Sequence, residues 1–188
     1  MEALKQERLQ DEFAKEEWID GVFFMTPAAS PDHNDVLNEL QAIIYSYLRG
    51  KKCKLYRENI DLILADPNLI SAKQVSKAEK ENKVRPDLLV FCDQEYVRSG
   101  NNIIGIPDFI IEVLSPGSNK LDKVVKKEKY LKAGVKEYWI VDYLEREVLK
   151  YYQGQLEQFT FNHTVKIDTL QDLAIDFKEI EDLFFSFS

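Results

Sequence analysis

The sequence predicts an α/β protein in which helices cover a mixed sheet. An amphipathic helical pattern follows Ser30 and ends at Gly50. Two nearly continuous apolar runs, 87–92 and 108–114, are typical of central strands that are covered on both faces. A lysine-rich helical stretch and further strand patterns come after them. This order of helix, strands, helix and strands excludes a helical bundle and a β-sandwich.

The size and composition are those of one folded domain, which we expect to span residues 1–188. The chain has 188 residues, of which 45% are hydrophobic and 12% aromatic, so a disordered protein is excluded. No window approaches the about 18 apolar residues of a membrane span, and the polar N-terminus lacks the features of a signal peptide. We therefore expect a cytoplasmic protein without a membrane partner.

The cysteines and histidines are too few to suggest a metal or disulfide framework. Cys53 and Cys92 stand alone in apolar stretches, without metal-ligand spacing. With only two histidines in the chain, a zinc site is close to excluded.

The N-terminal elements are predicted from turn and cap residues. Residues 4–17 have the pattern of a short amphipathic helix, and Asp20-Gly21 suits a tight hairpin turn between two short strands. Ser30 is a suitable N-cap for the helix that follows. Residues 53–64 are predicted as one strand, and the polar stretch 66–84 as a long loop.

The C-terminal half is predicted as one helix and several strands. The helix covers residues 118–133, with Gly134 as its C-terminal cap. The predicted strands are 137–142, 147–152 and 155–161, and the tail over 175–185 is expected to pack as a short final element.

The charge is unevenly distributed along the chain. The net charge is −8, yet residues 118–136 contain seven lysines against two acids, a local charge of +5. This distribution predicts one basic face for an anionic partner on an otherwise acidic protein. A solvated lysine-rich helix explains the charge equally well.

Glu112 is the most unusual residue of the sequence because it interrupts an apolar strand. An ionised carboxylate buried without a partner is strongly unfavourable. Asp87, at the start of the other apolar run, can approach Glu112 from a neighbouring strand. Asp108 is a competitor, but four strand residues place it about 13 Å away. Two close carboxylates suggest Mg²⁺ between them. The alternative is a structural Glu112 paired with a lysine or the backbone.

Several spaced motifs resemble the Uma-type restriction-endonuclease-like family of the PD-(D/E)XK nuclease superfamily. The resemblance covers residues 17–185, and each motif is weak alone. The motifs are Asp20-Gly21, Ser30-Pro31-x-His33, Arg85-Pro86-Asp87, Pro107-Asp108-x3-Glu112-x2-Ser115-Pro116, Asp122-x3-Lys126-x3-Tyr130 and Gly134-x3-Tyr138-Trp139-x2-Asp142. The family implies a restriction-endonuclease-like mixed sheet with an αβββαβ-type core, here with an N-terminal hairpin.

The resemblance also implies a set of site residues. Asp87 and Glu112 match the two metal-binding acids, and Leu114 stands where the superfamily has its E-x-K lysine. Lys126 is the expected substitute, with Lys120, Lys123, Lys127 and Lys129 as rivals and as candidate nucleic-acid contacts. Residues that could border the site are His33, Asp108, Asp122 and Tyr130.

The function that this resemblance implies is hydrolysis of phosphodiester bonds in DNA by an endonuclease that depends on Mg²⁺, or on Mn²⁺. The missing E-x-K lysine leaves open a catalytically inactive protein of the same fold that binds nucleic acid or another partner. A structural module whose buried acids serve only packing is a third interpretation. The oligomeric state also stays open, a homodimer included.

Overall fold

The computed structural model describes residues 15–26, 28–66, 68, 75, 77–78, 81–93, 95–115 and 121–185. Most of the predicted helix 4–17 and the predicted phosphate contact Lys120 therefore lie outside the described residues. Within them the protein is a mixed α/β structure, and the predicted fold class is confirmed.

A six-stranded mixed sheet forms the centre of the molecule. Its order is β12-β11-β10-β9-β6-β3, with β9 and β10 parallel and the other neighbours antiparallel. The strands are β3 (Lys54–Arg57), β6 (Leu88–Phe91), β9 (Phe109–Val113), β10 (Glu137–Asp142), β11 (Glu147–Tyr152) and β12 (Gln155–Thr160).

The helices cover both faces of this sheet. Helix α1 (Pro31–Leu48) and the C-terminal helix α3 (Phe177–Phe185) share one apolar cluster with alternate residues of β6, β9 and β10. A π-helical turn (Leu121–Lys126) leads directly into α2 (Lys127–Ala133), and both pack on the opposite face. This double coverage explains why β6 and β9 are apolar almost without interruption.

A second six-stranded sheet packs on the α2 side, in the order β2-β1-β5-β4-β8-β7. A separate two-stranded sheet joins β13 (Thr164–Lys166) to β14 (Ala174–Asp176). The strands of the second sheet are β1 (Lys15–Ile19), β2 (Val22–Thr26), β4 (Asp61–Leu64), β5 (Asn82–Val84), β7 (Tyr96–Ser99) and β8 (Asn102–Gly105).

The second sheet corrects three predictions. Residues 53–64 are not one strand, because a turn separates β3 from β4 and sends them to different sheets. The end of the predicted loop 66–84 is strand β5, held between β1 and β4. The last residues of the predicted helix 4–17 belong to β1, because they pair with β2 across the hairpin.

Turn and cap residues act as the sequence predicts. The β1–β2 hairpin turns at Asp20 and Gly21, both with positive φ (51° and 76°). The Ser30 hydroxyl accepts the His33 amide at 3.2 Å and so begins α1. Gly134, at φ 99°, ends α2 in the left-handed conformation.

The two cysteines form a disulfide, contrary to the expectation from their isolation in the sequence. Cys53 and Cys92 are 39 positions apart but continue the antiparallel register in which Lys54 pairs with Phe91. Sequence spacing alone cannot show this proximity, because it depends on the pairing of β3 with β6.

In chain order, α1, β3, β6, β9, α2 and β10 make up the αβββαβ core expected from the family resemblance. The second sheet is added to this core by strands from before α1 and from the β3–β6 and β6–β9 connections. In the part of the chain that the structure describes, no helix is both long and apolar enough to cross a membrane.

Candidate active site

Asp87 lies immediately before β6, next to Glu112 near the end of β9. Leu88 pairs with Ile111, which places the two acids side by side on adjacent strands. The Asp87 amide donates to Glu112 Oε2 at 3.3 Å, and the Val113 amide donates to Asp87 Oδ2 at 2.8 Å. Both acids are only 2% exposed, so their carboxylates are held close together away from bulk water.

Lys126 reaches Glu112 from the end of the π-helical turn. Its Nζ lies 3.1 Å from Glu112 Oε1, 3.1 Å from Asp122 Oδ1 and 2.9 Å from Glu17 Oε2. One turn further on, the Tyr130 hydroxyl donates to the same Glu112 oxygen at 2.8 Å. The spacing Asp122-x3-Lys126-x3-Tyr130 therefore presents three polar groups to one end of β9, as expected for residues four apart on a helix.

Glu17 is a member of this cluster that the sequence analysis missed. It lies on β1, is fully buried, and accepts the Arg85 amide at 2.8 Å through its other oxygen. Glu17 thus joins Lys126 to the backbone two residues before Asp87. Nothing in the sequence distinguishes it from the neighbouring Glu16, because its position depends on the pairing of β1 with β5.

Two further groups contact Asp87. His33, in the first turn of α1, places Nε2 3.2 Å from Asp87 Oδ2, and the ammonium of Lys15 pairs with Asp87 Oδ1. The Lys15 side chain is 19% exposed, whereas that of His33 is 4% exposed. Lys15 was also missed by the sequence analysis, which placed it in a helix.

The electrostatic environments of the two acids differ. Burial by itself raises the pKa of Asp87, but the charge of Lys15 and the contact with His33 outweigh it and hold that pKa well below its usual range. Burial raises the pKa of Glu112 well above its usual value. Lys126 opposes this shift, whereas Asp122, Asp87 and Glu17 add to it. Glu112 is therefore the acid that remains protonated to higher pH.

The cluster as a whole carries excess negative charge. Among the described residues its four carboxylates are Glu17, Asp87, Glu112 and Asp122, and its two ammonium groups are Lys15 and Lys126. When these six groups are ionised and His33 is neutral, their formal charge is −2, which one divalent cation would neutralise. Buried charge of one sign is strongly unfavourable without such compensation.

A small cleft gives access to these groups. It has a volume of about 20 Å³, enough for about one water molecule, and is lined by Asp87 and Glu112 together with Lys15, Thr26 and Ser115. Among the described residues, no three His, Cys, Asp or Glu side chains are grouped to hold a metal ion. Mg²⁺ commonly takes one or two carboxylates and completes its shell with water or phosphate oxygens, so the donors present fit it.

The other predicted residues lie outside the cleft. Asp108, at the opposite end of β9, accepts the amides of Cys92 (2.6 Å) and Asp93 (3.1 Å). Lys123 pairs with Asp142 at 3.0 Å and Lys129 with Asp20 at 2.6 Å. Lys127 lies 5.8 Å from the centre of the Tyr151 ring. Much of the predicted basic face is thus engaged with acids or an aromatic ring of the protein itself.

Comparisons with known proteins agree with this architecture. A crystal structure titled as a putative nuclease belonging to DUF820, from Anabaena variabilis, is 21% identical, and the match covers 88% of each chain with a TM-score of 0.67. At that identity the likeness concerns the fold alone. No curated protein matches the chain. The model of the Uma2 family, described as putative restriction endonucleases, matches residues 2–178, and the protein therefore belongs to that family.

Proposed function

We propose that the protein is an endonuclease that hydrolyses phosphodiester bonds in DNA with the help of Mg²⁺ or Mn²⁺. The observation that carries the proposal is the excess of buried carboxylates over ammonium groups at a cleft of a nuclease-like fold. In a purely structural cluster, equal numbers of positive and negative charges would be more stable. An excess of negative charge favours the binding of a cation. We also infer that residues 1–188 act as one nuclease-like domain.

Asp87 and Glu112 are the proposed metal-binding residues. A divalent cation supplies positive charge to the charged transition state of phosphodiester hydrolysis and makes bound water a better nucleophile. The chain's own residues prepare the two acids for this role. The Val113 amide and His33 orient Asp87. Tyr130 and Lys126 hold Oε1 of Glu112, whereas among the described residues Oε2 accepts the amide of Asp87.

Lys126 is the proposed replacement for the lysine absent at position 114. It arrives from a helix rather than from β9, yet its ammonium lies next to the same glutamate. Burial lowers the pKa of Lys126, but the charges of Asp122, Glu112 and Glu17 outweigh this effect and keep its pKa well above the usual value. Lys126 therefore stays charged and holds Glu112 in place.

A cleavage assay tests the proposal. Supercoiled plasmid, linear duplex, single-stranded DNA and RNA are incubated with the protein and Mg²⁺, Mn²⁺ or EDTA. We expect cleavage of DNA with either metal and none in EDTA. Asp87→Asn should abolish cleavage, whereas Asp93→Asn, at an exposed acid beyond the other end of β6, should not. Equal cleavage by Asp87→Asn and the wild type would reject the proposed site.

A second candidate function is nucleic-acid binding without cleavage. It is favoured by the leucine at position 114, which leaves β9 itself without the usual lysine. In that case the wild type binds DNA in a gel-shift assay and leaves it intact with every metal.

A further inference from the structure

The two lysines of the cleft differ in how many carboxylates pair with their ammonium groups and in how exposed their side chains are. An ammonium group has three N–H donors and accepts none. A lysine that contacts a substrate phosphate needs at least one donor directed to the cleft. The number of carboxylate partners within bonding distance of each Nζ therefore separates the possible roles of Lys15 and Lys126.

Lys126 is surrounded by carboxylates inside the protein. Glu17, Glu112 and Asp122 lie 2.9–3.1 Å from its Nζ, which donates a hydrogen bond to Glu112 Oε1. Its side chain is 4% exposed. A phosphate at Lys126 would have to enter this buried position and compete with three carboxylates for the same positive charge. Lys126 is therefore a positioning residue for the acids.

Lys15 is more exposed at the same cleft and has fewer carboxylate partners among the described residues. Among the described residues, Asp87 is the acid with which its ammonium pairs, through Oδ1. Its side chain is 19% exposed and forms part of the cleft wall. Lys15 therefore offers a partly exposed positive charge next to Asp87 in the wall of the cleft.

We propose that Lys15 is a catalytic residue that donates a hydrogen bond to a non-bridging oxygen of the phosphodiester in the cleft. This inference rests on the proposed nuclease function and assigns the substrate contact to Lys15 because Lys126 is less exposed and lies among three carboxylates. An ammonium at this position offsets the phosphate charge beside Asp87. The β1–β2 hairpin thereby becomes part of the active site instead of an addition to the fold.

The test compares Lys15→Gln, Lys15→Arg and the wild type, with Lys54→Gln as a matched control at an exposed lysine of β3. Hydrolysis of bis(p-nitrophenyl) phosphate with Mn²⁺ reports on the chemistry. Anisotropy of a fluorescent DNA duplex in EDTA reports on phosphate binding without metal. Lys15→Met is the second variant if Lys15→Gln does not fold.

We expect Lys15→Gln to lower kcat/KM by at least about 10-fold, as befits the loss of one charged hydrogen bond to the reacting group. Lys15→Arg should restore most of this loss, and Lys54→Gln should behave as the wild type. In EDTA, the salt dependence of DNA binding should decrease by about 0.9 in slope for Lys15→Gln, corresponding to one phosphate contact.

Unchanged hydrolysis and an unchanged salt slope for Lys15→Gln would overturn the inference while leaving the nuclease proposal intact. A different result would reject the nuclease function alone. In that case the wild type hydrolyses no substrate, but its binding of DNA in EDTA is weakened by Lys15→Gln, which supports the contact between Lys15 and a phosphate. Absence of DNA binding by the wild type, together with absence of hydrolysis, would reject both.

Discussion

The two ends of strand β9 each have a buried acid, but the charged groups around the two acids differ. At the first end, Asp108 accepts two backbone amides and pairs with Lys136 at 2.6 Å, while its neighbour Asp93 pairs with Lys52 at 2.6 Å. Two acids thus face two ammonium groups. At the other end, the described residues group Glu112 with three more carboxylates and two ammonium groups, beside the imidazole of His33.

This difference shows that burial of an acid does not by itself indicate catalysis. Asp108 and Glu112 are about equally buried, at 1% and 2% exposure. What separates them is the balance of charge, which is neutral around Asp108 and negative around Glu112. Substitutions at the two ends should therefore have opposite consequences for stability and activity.

The largest expected effect follows the removal of Lys126. Lys126→Met leaves Glu17, Glu112 and Asp122 without their common counter-ion, and we expect a loss of about 3–5 kcal/mol in the free energy of unfolding. Lys136→Met, at the Asp108 end, should lose no more than about 1 kcal/mol because Lys136 is 44% exposed. Urea denaturation in EDTA measures both. Similar losses of unfolding free energy in Lys126→Met and Lys136→Met would contradict the proposed difference between the Glu112 and Asp108 ends of β9.

Glu112→Gln should separate activity from stability. The substitution keeps the shape of the side chain but removes charge needed for a cation, so hydrolysis should fall at least about 100-fold. The thermal midpoint of the variant in EDTA should equal or exceed that of the wild type, because the substitution removes a buried negative charge that lies beside other carboxylates. Mg²⁺ should raise the midpoint of the wild type and leave that of the variant nearly unchanged. A marked loss of stability in EDTA, with no response of the wild type to Mg²⁺, would identify Glu112 as structural.

Asp108→Asn should have the opposite pattern. Its Oδ2 accepts the amides of Cys92 and Asp93 and its Oδ1 pairs with Lys136, so an amide in its place keeps one oxygen for the backbone but loses the charge and the ion pair. We expect a loss of about 1–3 kcal/mol in unfolding free energy with hydrolysis near the wild-type level. A nuclease assay on the folded variant, beside its denaturation curve, gives both quantities. A hundredfold loss of activity in Asp108→Asn would mean that residues at both ends of β9 are needed for hydrolysis.

The smallest effect concerns the pH dependence of stability without metal. Because the pKa of Glu112 is higher in the folded protein than its ordinary value of 4.5, the folded state binds that proton more tightly than the unfolded state. Its contribution to stability is therefore present below about pH 4.5 and is lost as the pH rises towards the raised pKa. Denaturation in EDTA across this range should show the decline in the wild type. Glu112→Gln should reduce this decrease of the free energy of unfolding with pH. An unchanged pH dependence in the variant would mean that another group is responsible.

The sequence predicted those parts of the site that depend on local pattern. Glu112 stands out because it interrupts an apolar run, and Ser30 and Gly134 follow from cap preferences. Lys15 and Glu17 could not be found in this way, because their positions in the charge cluster depend on the pairing of β1 with β5. The number of lysines in residues 118–136 also does not show which of them are available to a partner. Lys123 and Lys129 are paired with acids of other elements, and these pairs depend on the tertiary structure.

The β1–β2 hairpin also bears on how the protein acquires its activity during folding. The contact of Lys15 with Asp87 spans 72 positions of the chain, and that of Lys129 with Asp20 spans 109. Contacts between such distant residues require closure of long loops, which makes them slow to form. Helix α1 and its caps can form from neighbouring residues, but the charge cluster cannot. Catalytic competence should therefore return at the rate of the slowest tertiary step of refolding, after most of the helical structure has formed.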